Sequence, residues 1–168
     1  MPSFNPSTQE MVGYINGGLR AQTAVVDNAT YILITAKDIF TVYGRIRILS
    51  LDYEAVTAFS DTATLLKWQF DSSVPAVAAA DISAAAVTCA EIAQGKRIVF
   101  QGTALNTAQV IAANPCISLS APTTMDVGCY AGVGTLATVG AVAATSGTGI
   151  FTLCYIPLTD GAYAEPLC

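Results

Sequence analysis

The sequence contains no histidine, and its lysines and arginines stop at Arg97. The first absence removes the commonest general base, the usual catalytic triads and most zinc sites. The second leaves Asp126, Asp160 and Glu165 as the only charged side chains in the rest of the chain. Charged residues are 11% of the whole, against about a quarter in an ordinary soluble domain. A surface this poor in charge has low colloidal stability unless neighbours cover it. The net charge of −5 comes with no basic stripe, so no nucleic-acid partner is expected. The same acidic balance argues against an anionic membrane surface.

Other signals are missing as well. The opening "MPSFNPSTQEMVGYINGGLR" has no apolar stretch of the kind a secretory leader needs. No run of about 18 residues stays apolar long enough for a membrane helix. The expectation is a soluble protein synthesised in a cytoplasm. Its five cysteines, Cys89, Cys116, Cys129, Cys154 and Cys168, are odd in number and form no CxxC. They are expected to be reduced thiols buried as small hydrophobes, with no metal site. Lys37, Lys67 and Lys96 all lack the glycines of a P-loop, and "AGVGTLATVG" lacks the βαβ setting of a dinucleotide loop, so no cofactor is expected.

Asp52 and Glu54 stand two apart and share a face of any strand that holds them. A carboxylate pair can drive glycoside hydrolysis. Here nothing aromatic or polar clusters beside it, and the reading adopted is a solvated strand face pairing with Arg45 and Arg47. None of the cysteines has a base nearby in sequence. The chain is therefore read as a non-enzyme, with no catalytic residue.

What is present is strand. A chain of 168 residues holds one domain with a real core. Residues 1–29 read as an extended N-terminal arm, with turn-formers in "FNPSTQ" and "NGG". Phe4, Tyr14 and Ile15 are the arm's candidate partner contacts. Residues 30–168 read as a single β-sandwich or jelly-roll-like domain. In "DIFTVYGRIRILSLDYEAVTAF", Phe40, Val42, Ile46 and Ile48 alternate with Thr41, Tyr43, Arg45 and Arg47, which predicts one strand with a wet face. Gly44 suggests a bulge or a close neighbouring backbone, and the phase shift at Leu49–Leu51 a second bulge or a change of sheet. Leu66, Trp68 and Phe70 alternate likewise. Short strands are expected around 85–92 and 97–101, with a helix over 76–86 as the alternative. "AQVIA", "CISLS" and "MDVGCYA" add further strands. "GVGTLATVGAVAATSGTG" reads as irregular. The last strand, 149–157, is apolar on both faces and is expected to be central and covered on both sides. Pro157 ends it, and Asp160-Gly161 forms a turn beyond.

Three stretches, "IFTVYGRIRILSLDYEAVT", "GKRIVFQGTA" and "GTGIFTLCYIPLTDGAYAEP", occur in a layout that resembles small structural proteins of tailed bacteriophage particles, above all those that decorate or cement capsids. The likeness is one of layout across most of the chain, without a signature motif. It implies a β-rich module, often trimeric, bound to the major capsid protein on the outside of the shell, and so a place in the virion. Two alternatives remain open: a tail or fibre adaptor of the virion, and a carbohydrate-binding β-sandwich whose aromatic candidates are Tyr43, Tyr53 and Tyr130.

Overall fold

The computed structural model describes residues 18–59, 66–83, 92–101, 107–111 and 129–168. These form twelve strands and one helical turn: β1 (Leu19–Gln22), β2 (Val26–Asp27), α1 (Asn28–Tyr31), β3 (Lys37–Tyr43), β4 (Ile46–Ala55), β5 (Leu66–Ser73), β6 (Ala76–Asp81), β7 (Arg97–Gln101), β8 (Thr107–Ile111), β9 (Cys129–Ala131), β10 (Gly134–Gly140), β11 (Thr148–Pro157) and β12 (Tyr163–Pro166). One sheet runs β1-β11-β4-β7-β8, with β2 also on β11 and β9 also on β4. The other runs β12-β3-β10-β5-β6. All the pairings are antiparallel. The two sheets pack face to face as a β-sandwich, the architecture expected from sequence.

The core lies between them. Ile46, Ile48, Leu51, Tyr53, Phe151 and Leu153 from one sheet meet Phe40, Val42, Leu66, Trp68 and Leu136 from the other, all fully buried. Trp68 and Phe151 join the sheets edge to face at 5.6 Å, a favoured aromatic geometry.

The run expected as one strand is two, and they belong to different sheets. β3 ends at Tyr43, and the chain crosses to begin β4 at Ile46. Gly44 makes the corner. Its φ of +77° suits glycine, and a Cβ there would stand 2.8 Å from the Ala162 side chain. Inside β4 the buried series is Ile46, Ile48 and then Leu51, Tyr53, Ala55. The change of phase is a bulge: Cys154 faces Ser50 while Tyr155 faces Ile48, so Leu49 is the extra residue.

Residues 18–29, read from sequence as part of the arm, are built into the sandwich. β1 pairs with β11 from Leu19↔Tyr155 to Gln22↔Thr152. Ala21, Thr23 and Val26 are buried, and Asn28 has no exposure at all. The boundary expected at 29 does not separate arm from domain. The alternation of Leu19, Ala21 and Thr23 with Arg20 and Gln22 was masked by the turn-formers around it.

β10 overturns a second expectation. The glycine-rich stretch contains a strand at the middle of the five-stranded sheet, paired on both sides, with Leu136 and Thr138 fully buried. Small residues there serve close packing between neighbours and do not signal irregular chain. The Ala-rich segment is a strand over Ala76–Asp81, not a helix. Ile92 meets Phe59 in an isolated bridge. Residues 84–91 and "CISLS" lie outside the described residues. At the end of β11, Ala162 N–H donates to the Thr159 carbonyl at 3.0 Å and Gly161 takes φ +71°, the turn expected at Asp160-Gly161.

Candidate functional site

Phe4, Tyr14 and Ile15 lie outside the described residues. Of the three aromatic candidates, Tyr53 is a core residue. Its hydroxyl donates to Asn28 Oδ1 at 2.9 Å, and Asn28 Nδ2 donates to the Ser146 carbonyl at 3.3 Å. This satisfies a buried amide and pins α1 to the sheet. Gly149 lies under the Tyr53 ring, where a Cβ would collide with it. Tyr130 is exposed, with the Arg47 guanidinium 6.0 Å from its ring centre.

Tyr43 is also exposed, and it has a companion that the sequence reading did not single out. Tyr43 and Tyr163 are cross-strand partners in β3 and β12. Their rings stack at 4.6 Å with 19° between planes. Two residues along β12, on the same face, Glu165 accepts a 2.7 Å hydrogen bond from the Tyr43 hydroxyl at Oε1. That bond to a carboxylate holds the Tyr43 hydroxyl above the usual phenol range. The signal in sequence was "AYAEP": Ala162 and Ala164 are buried, while Tyr163 and Glu165 are exposed. Four residues after a turn were too few to read as alternation.

Asp52 and Glu54 sit in different surroundings. Glu54 pairs with Arg97 at 3.2 Å, its register partner across β4 and β7, and not with Arg45 or Arg47. Asp52 is 7% exposed. Its Oδ1 has no hydrogen-bond partner among the described residues. Burial pushes its carboxyl above the usual range, against the Ser50 hydrogen bond and the charges of Arg97 and Arg20.

Cys154 and Cys168 are free and half-buried. Burial raises the Cys168 thiol, which disfavours the thiolate a nucleophile needs. Among the described residues, no three His, Cys, Asp or Glu side chains converge on a metal position, and no helix is long and apolar enough to cross a membrane.

The final strand completes the inventory. β11 is hydrogen-bonded on both edges, as expected. Phe151, Leu153 and Tyr155 are buried, but Ile150, Cys154 and Ile156 on its other face are only half-buried. Thr152 on that face is buried as well, so the cover expected on both faces is complete on one and partial on the other. A different apolar surface is wholly open: in β6, Ala76, Ala78, Ala79 and Ala80 are all exposed, on both faces of the strand, and Val74 at the hairpin tip is 67% exposed. No family model matches the chain, and neither does any curated protein or solved structure.

Proposed function

We propose that this chain is a non-catalytic structural protein of a tailed-phage virion that binds and stabilises the outside of the capsid. The observation that carries the reading is the β5–β6 hairpin. Among the described residues β6 is the end strand of its sheet, and Ala76 to Ala80 contain no charge. An open, uncharged edge presents unpaired N–H and C=O groups. A free-standing protein protects such an edge with lysine, proline or a covering loop. A protein that works in an assembly uses it as a joint, because an added strand is held by backbone hydrogen bonds.

The absence of cations after Arg97 fits the same picture, since packed neighbours remove the need for a charged surface. The partners proposed are the major capsid protein and further copies of this chain, with the trimer that the layout implies.

Co-sedimentation tests it. Purified protein mixed with shells assembled without it should pellet saturably with the shells and raise their resistance to heat or chelator. Protein left wholly in the supernatant, or pelleting only with tails, would move the assignment to another virion component or out of the virion.

A further inference from the structure

We infer that the stacked pair Tyr43–Tyr163, with Glu165 beside it, is a binding platform for a neutral saccharide. The inference does not depend on capsid attachment. Three exposed side chains converge here: two aromatic rings, 37% and 46% exposed, and a carboxylate. Among the described residues β12 is the end strand of its sheet, paired with β3. The Tyr163 ring stacks on Tyr43 and the residue stays 46% exposed, so part of its surface is available to a ligand. A flat, open tyrosine face attracts ligands with a planar array of C–H bonds, because the π-face is electron-rich.

The polar group decides the class of ligand. Ionised Glu165 is an acceptor only. Oε1 already takes the Tyr43 hydroxyl, which holds the carboxylate in place and leaves it capacity to accept further donors. A ligand must therefore bring donors. Saccharide hydroxyls are donors, and a pyranose presents C–H bonds on one face and hydroxyls around its rim. A proline-rich peptide also stacks on tyrosines, but it offers carbonyl acceptors, and acceptors gain nothing from a carboxylate. Phosphate- or sulfate-bearing ligands meet like charge at Glu165. A neutral pyranoside matches both the ring face and the acceptor, and a cationic ligand that binds here in its place would overturn the inference.

The test is a glycan array probed with the full chain, with hits measured by calorimetry. Neutral oligosaccharides should bind in preference to sialylated or sulfated ones. Tyr163→Ala should weaken binding about tenfold or more, the loss of a central aromatic contact. Tyr163→Trp should retain it, which separates a stacking role from mere support of β12. Glu165→Gln should weaken it by a smaller factor, on the order of threefold to tenfold for one charge-assisted hydrogen bond. An array without a saccharide hit overturns the inference. So does a hit indifferent to Tyr163→Ala, a loss of binding in a folded Tyr163→Trp variant, or capture of a proline-rich peptide with no sugar. Capsid co-sedimentation is read separately, so either proposal can fail alone.

Discussion

β11 and β6 are both apolar strands without a lysine or arginine, yet they stand at opposite ends of the burial scale. β11 is paired on both edges and places Phe151, Leu153 and Tyr155 in the core. β6 is paired on one edge, and its alanines are exposed. The difference is side-chain size. Burying a large side chain removes enough apolar surface from water to draw the strand inside, whereas a methyl group contributes little. Alanine is also a poor strand former. β6 is extended because β5 holds it, and a second partner would hold it better. Apolar composition therefore marks two different things in this chain: a core where side chains are large, and an exposed strand where they are small.

The largest expected effect lies in β11. Leu153→Asp should abolish soluble expression, because Leu153 is fully buried and an unpaired carboxylate there has no compensation. Leu153→Ala should cost about 2–5 kcal/mol in denaturant unfolding, the range for truncating a core leucine. If Leu153→Asp folds and loses only self-association, β11 is a joint as well and the comparison collapses.

Next is the polar pin beneath β11. Tyr53→Phe removes the donor to Asn28 Oδ1 and leaves that oxygen buried without it. The expected cost is about 1–3 kcal/mol, measured by urea titration. Wild-type stability in this variant would show that the Asn28 amide finds another donor, and that α1 does not depend on the pin.

Much of this contrast was legible in sequence, for definite reasons. Large residues in strict alternation announce a strand and its inner face, as with Phe40 and Val42 or Leu66 and Trp68. A slipped phase announces a bulge, as at Leu49. Three features resisted. The alternation through Gly44 is the same whether the chain continues straight or turns into the other sheet, because period two carries no long-range information. β10 is built from Gly, Thr, Ala and Val with a single leucine, Leu136, too little for a pattern when both neighbours press close. The tyrosine platform depends on two strands far apart in sequence, so Tyr43 was visible as a candidate and Tyr163, its register partner, was not.

Two carboxylates sharpen the comparison through pH. Asp52 lies beside β11, opposite Thr152, and burial raises its pKa. A carboxyl with a native pKa above its unfolded value binds its proton more readily when folded, so between those values stability falls as pH rises. Asp52→Asn should remove that slope, raising stability at neutral pH and changing little under acid where both states are protonated. Asp81 ends β6, and hydrogen bonds from Lys67 and Gln69 hold its pKa down. Its sign is opposite: it contributes above its unfolded pKa, and the contribution is lost as pH falls through the native one. Since its side chain is 47% exposed, salt should weaken it. Urea melts of Asp52→Asn and Asp81→Asn across acidic pH check the pair of signs.

The smallest expected effect on the fold is in β6. Ala78 is exposed, so Ala78→Lys should change unfolding free energy by no more than about 0.5 kcal/mol. Its effect should appear only in association. A lysine on an edge strand is a standard protection against strand addition, and here it would stand in the middle of an uncharged run with Pro75 at one end and Asp81 at the other. Sedimentation of the variant should show weaker self-association than wild type at the same concentration, and its binding to shells should fall if β6 is the strand that joins. Equal association by the two proteins would mean that the edge stays unpaired in the assembly. The joint would then have to be sought on the half-buried face of β11, at Ile150 and Ile156, where Ile156→Lys is the corresponding substitution.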